Sequence, residues 1–82
     1  MAQNIKMDFA RLLRDKQQQL EAAQAAWAES ARSIMRMLSD AVVDFDQFDF
    51  AAFDAAVDDL RRQTGAVRPL INETTELRNR LK

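Results

Sequence analysis

Eighty-two residues carrying twelve basic and thirteen acidic side chains, one glycine, one proline and no cysteine predict a single all-α domain over residues 1–82. At this length only about 60–65% of the unfolded chain's surface can be hidden, so an isolated copy is marginal and self-association or a partner is expected. The lack of His, Cys and Tyr leaves no ordinary base, nucleophile or acid for neutral pH, and the lack of Cys also excludes a disulfide framework, so no enzyme and no cofactor is expected.

The first predicted helix covers about residues 5–43. Wound at about 100° per residue, Ile5, Phe9, Leu13, Leu20, Ala23, Trp27, Ala31, Ile34, Leu38, Ala41 and Phe45 fall within about 40° of one direction. Phe9, Trp27 and Phe45 are each eighteen residues apart, about five turns, and point nearly the same way. Asn4 is placed to cap this helix. Lys16 falls on the apolar line, where its methylenes can pack while the ammonium reaches water. The middle, from Lys16 to Ser33, is a small-residue waist in which only Leu20 and Trp27 are large. From Ile34 the apolar face widens to take in Met35, Met37, Leu38, Val42 and Val43, and this end is expected to be the more deeply buried one. A stripe with a period near 3.6 favours a short bundle over an extended two-stranded coiled coil.

A corner follows, and Asp49 carries the next start signal. With Asp49 as N-cap, Phe48 precedes it and Phe53 is the fourth helical residue, the arrangement of a hydrophobic staple. The second helix is predicted over about residues 50–64, with the stripe Phe50, Phe53, Val57, Leu60 and with Gly65 ending it. Pro69 removes a backbone donor and disfavours helical geometry at Arg68, so a third helix is predicted over about residues 69–81, with Leu70, Ile71, Thr74, Leu77 and Leu81 as its apolar residues. The fold expected is therefore a long helix with two shorter ones folded back on it, completing a bundle by dimerisation.

Charge is segregated along the chain. Residues 41–60 hold six aspartates and no basic residue, of which Asp44, Asp46, Asp54 and Asp58 are candidates for an acidic surface. Residues 61–82 hold Arg61, Arg62, Arg68, Arg78 and Arg80, candidates for a basic surface, together with Lys82. The spacing of Asp44, Asp46 and Asp49 fails the EF-hand pattern at three positions, Phe48, Asp49 and Ala55, and no metal site is expected.

The interface candidates are Phe9, Leu13, Leu20, Trp27, Ile34, Leu38 and Phe48, with Trp27 foremost because its helical neighbours are too small to enclose an indole. These features predict a non-enzymatic protein-interaction module, homodimeric, with another protein as its target: a small regulator, inhibitor, adaptor or chaperone. Two alternatives stand beside it: a nucleic-acid-binding regulator using the basic C-terminal segment of a dimer, which the net charge of −1 opposes, and a structural subunit of a larger helical assembly. No apolar run approaches the roughly 20 residues of a membrane span and no leader pattern is evident, so the cytoplasm is the expected location.

Overall fold

The computed structural model describes residues 2–81, with side chains described from residue 8 onward. Met1, the Asn4 and Ile5 side chains and Lys82 lie outside the described residues, as does the predicted Asn4 cap. Two antiparallel helices form a rod of 66 × 16 × 15 Å. Helix α1 spans Ala2–Val43 and α2 spans Phe50–Arg80, joined through a 3₁₀ turn at Phe45–Gln47. At 1.5 Å per residue the helices are about 63 and 46 Å long.

A subset of the half-buried side chains falls on alternating three- and four-residue steps and forms the seam, flanked by Gln17, Ala28, Ala31, Ser33, Ala52, Val57 and Thr64, which are half-buried as well. On α1 the seam residues are Phe9, Leu13, Lys16, Leu20, Ala23, Ser30, Ile34, Met37 and Ala41, with Trp27 holding its place in the series at 38% exposure. On α2 they are Phe53, Ala56, Leu60, Gln63, Val67, Leu70 and Leu77, with the buried Thr74 in the same series. This is the period of 3.5 that defines a coiled-coil seam, so the extended pairing that a 3.6 period argued against is the one that forms. The ion pair between Lys16 and Glu73 and the hydrogen bond from Trp27 to Thr64 set the antiparallel register. At the open end the Arg80 guanidinium stands 5.9 Å from the centre of the Phe9 ring.

The predicted break between a second and a third helix does not occur. Gly65 has no positive φ, and Pro69 lies inside α2. Each acts as a local helix breaker, but both sit on the solvent side of α2, between seam positions Gln63, Val67 and Leu70 that continue without a phase change. Leaving the helix there would cost the packing of Val67, Leu70, Thr74 and Leu77 against α1, which offsets the roughly 1 kcal/mol of a helical glycine and the roughly 3 kcal/mol of a proline in a helix interior.

The turn forms as its residues dictate. The amide of Asp44 donates to the Asp40 carbonyl at 2.9 Å, closing α1, and that of Phe48 donates to the Phe45 carbonyl at 3.1 Å. Asp49 is the N-cap of α2, its Oδ1 accepting from the Ala52 amide at 3.0 Å. The Phe48 ring lies 5.5 Å from Phe53, completing the predicted staple, and 4.9 Å from Phe50 in an edge-on contact.

One expectation about depth is reversed. Among the described residues no hydrophobic side chain is buried, and Thr74, at 2% exposure, is the sole buried residue. The end of α1 expected to be deepest is the most open: Val42 and Val43 are 88% and 87% exposed, and Met35 and Leu38 are also exposed. Two helices lying side by side hide one stripe each, and the widened face beyond Ile34 has no second neighbour.

Two stability measurements check this account. A Cβ added at Gly65 would meet nothing within 4 Å, so Gly65→Ala should raise stability by about 0.5–1 kcal/mol in denaturant titration; a loss would indicate a chain break at this position. Asp49→Ala should lower stability by about 1 kcal/mol, because the first-turn amides of α2 lose their acceptor.

Candidate interaction surface

In an antiparallel pair the residues flanking the seam form two edges, and here the two differ in chemistry. One edge is apolar. On α1 the three- and four-residue steps repeat outside the seam as Ala28, Ala31, Met35, Leu38 and Val42, and α2 contributes Phe50, Val57, Thr64 and Ile71. Met35, Leu38, Val42, Phe50 and Ile71 are all exposed. The Phe45 ring, 5.5 Å from Phe50 and edge-on to it, extends this strip around the turn. The opposite edge carries Asp40, Asp59, Glu73 and Arg80, and apart from Leu12 its exposed side chains are polar or small.

Trp27 anchors the apolar edge. Its indole Nε1 donates to Thr64 Oγ1 at 2.9 Å, and the Thr64 hydroxyl donates in turn to the Leu60 carbonyl at 2.8 Å. The ring is thus pinned across the seam and forms a wall of a groove of about 380 Å³ lined by Leu20, Gln24, Thr64, Val67, Arg68 and Ile71. A second hollow, of about 290 Å³, lies on the polar side of the turn between Met37, Asp40, Asp44, Phe48, Asp49 and Ala52.

The seven predicted interface residues divide. Phe9, Leu13, Leu20 and Ile34 sit in the seam and hold the hairpin together, Trp27 spans seam and edge, and Leu38 faces outward. Phe48 is half-buried, held by Phe50 and Phe53 and lining the smaller hollow. Met35, Val42, Phe45, Phe50 and Ile71 belong to the exposed edge although they were not among the predicted contacts. For Met35 and Val42 the signal was present in the second set of three- and four-residue steps on α1, which appears once the seam is read at a period of 3.5.

The charged candidates are spread along the rod. Asp44, Asp46, Asp54 and Asp58 lie at and near the turn. Arg61 and Arg62 pair with Asp58 and Asp59 one turn before them, and Arg80 pairs with Glu76 at 2.9 Å. Arg68 and Arg78 form no ion pair among the described residues. From Arg61 to Arg80 is about 28 Å of helix, so the five arginines do not form one compact basic patch.

Among the described residues no group of three or more carboxylate, His or Cys side chains is placed to hold a metal, and no helix is long and apolar enough to cross a membrane. The architecture is that of an all-α helical hairpin. Comparison with protein-family models, curated proteins and solved structures gives no match to this chain.

Trp27→Ala removes a partly covered indole and its cross-helix hydrogen bond. The expected loss of folding stability is about 2–3 kcal/mol, below the 3–5 kcal/mol of a fully enclosed aromatic because the ring keeps part of its surface in water. Chemical denaturation followed by circular dichroism at fixed protein concentration measures this directly, and an unchanged midpoint would show that the indole does not brace the hairpin.

Proposed function

We propose that this chain is a non-enzymatic protein-interaction module of the kind that serves as a small regulator, inhibitor, adaptor or chaperone, and that it works by completing a helical bundle through its apolar edge. The observation that carries this reading is the continuous line of exposed large side chains, Met35, Leu38, Val42, Phe45 and Phe50, on a hairpin with no buried hydrophobic residue among those described. Soluble monomers seldom leave an apolar strip of this length uncovered, and such strips mark contact surfaces. The surface is long, straight and flanked by small residues such as Ala28 and Ala31, which suits a packed helix better than a compact small molecule.

The nucleic-acid alternative draws less support. Three of its five arginines already face carboxylates, and the aspartates around the turn would repel phosphate.

The test is a pair of matched variants used as bait in extracts of the source cell. Met35→Glu/Leu38→Glu places two charges on the apolar edge, and Gln19→Glu/Ser33→Glu places two on the opposite edge. Both should keep wild-type helicity by circular dichroism. Association, whether with a second copy or with a retained protein, should be lost for the first variant and kept for the second. Equal association for both would refute the apolar edge as the working surface.

A further inference from the structure

The apolar edge holds both halves of a joint. The Trp27 groove lies near mid-rod, and about 27 Å further along the same edge, at 1.5 Å per residue, Phe45 and Phe50 project with 63% and 53% of their surface exposed. We propose that the edge is covered by a second copy of this chain lying antiparallel, so that the Phe45–Phe50 pair of each copy fills the Trp27 groove of the other. This deepens the interaction-module reading and rests on it, since it names the partner of that same edge.

Area supports a copy of this size. A folded 9.4 kDa monomer exposes about 5,000 Å² by the usual scaling with mass, whereas this chain exposes 6504 Å². The excess of about 1,500 Å² is more than the roughly 800 Å² that each partner hides in a stable standard interface.

Charge sets the direction. Cut across the middle of the rod, the turn half, residues 26–62, contains eight carboxylates and four arginines, while the open half contains eight basic and five acidic side chains. Two copies aligned in parallel would set the acidic turns side by side. Antiparallel copies bring the Asp44 and Asp46 that flank Phe45 to Arg68, which rims the groove and has no ion partner among the described residues.

Symmetry then closes the assembly. A twofold axis crossing the rod near Met35, midway between groove and turn, makes both joints at once, and the same patch meets itself with no edge left to propagate. Four helices surround the axis, and Met35, Leu38 and Val42 gain the neighbour that α2 does not supply.

The chain contains no cysteine, so single introduced thiols report the geometry without background. Met35→Cys, Phe45→Cys and Gln24→Cys each replace a side chain on the outer surface of the rod, which leaves the seam untouched; helicity is verified first. With a short bismaleimide, Met35→Cys should cross-link to itself. Phe45→Cys alone should not, since its two copies lie about 27 Å apart, but Phe45→Cys mixed with Gln24→Cys should. Arg68→Glu should weaken the dimer at least tenfold in sedimentation equilibrium, and adding Asp46→Arg to the same chain should restore it.

Self-linking of Phe45→Cys as efficient as that of Met35→Cys would overturn the antiparallel arrangement. So would an Arg68→Glu chain that dimerises like the wild type. A mass of 9.4 kDa at tens of micromolar would remove the second copy as partner. In that case retention of another protein that still depends on Met35 and Leu38 would leave the interaction reading standing, and its absence would remove both.

Discussion

The contact between the three- and four-spaced side chains of α1 and α2 is the interaction on which the rest of the structure depends. Ordering a residue's backbone costs about 1–2 kcal/mol, and helix propensity alone recovers little of that in water, so each helix persists through what it packs against. The seam is long, running from Phe9 and Leu77 at the open end to Ala41 and Phe53 beside the turn. It is also thin. With two helices every seam residue remains in partial contact with solvent, and Thr74 is the one exception among those described.

The seam's composition explains why this thin contact still selects one register. Small and polar residues, Lys16, Ala23, Ser30, Gln63 and Thr74, interrupt its line of large apolar side chains. Gln63 Oε1 and Thr74 Oγ1 are buried without a hydrogen-bond partner, a cost of about 1–3 kcal/mol for each such group. Unpaired in this alignment, these two atoms weaken the seam rather than select it. Selection of register falls to the paired groups, since this alignment brings the Trp27 indole to Thr64 and the Lys16 ammonium to Glu73. An exposed pair of this kind contributes little energy by itself, about 0–1 kcal/mol, so its effect is on alignment rather than strength.

What could be read from the residues alone was whatever is decided locally. The all-helical composition, the end of α1 near Val43, the Asp49 cap and the Phe48–Phe53 staple depend on a few neighbouring side chains, and they appear as expected. Gly65 and Pro69 misled because their local preference for a break was outweighed by contacts with α1 across the hairpin. The seam itself was misphased for a similar reason. Between Phe9 and Phe45, a winding of about 100° per residue and the roughly 103° of a supercoiled pair diverge by about a quarter turn. That difference exchanges Ala31 and Leu38 for Ser30 and Met37, and moves Leu38 and Phe45 from the presumed interior to the surface. The line read at about 100° per residue therefore took in Leu38 and Phe45 but not Met35, Val42, Phe50 or Ile71 of the exposed apolar edge.

The same reasoning makes stability and association one problem. If a second copy covers Met35, Leu38, Val42, Phe45 and Phe50, as proposed, it supplies burial that the two helices leave undone. When burial is shared between chains, mass action links unfolding to concentration. The most direct measurement is the thermal unfolding midpoint of the purified chain, followed by circular dichroism from about 1 to 300 μM. A midpoint that rises by several degrees over this range is the result expected of an edge completed by a second copy. A midpoint independent of concentration, with full helicity at the lowest point, would contradict it and make the two-helix hairpin sufficient by itself.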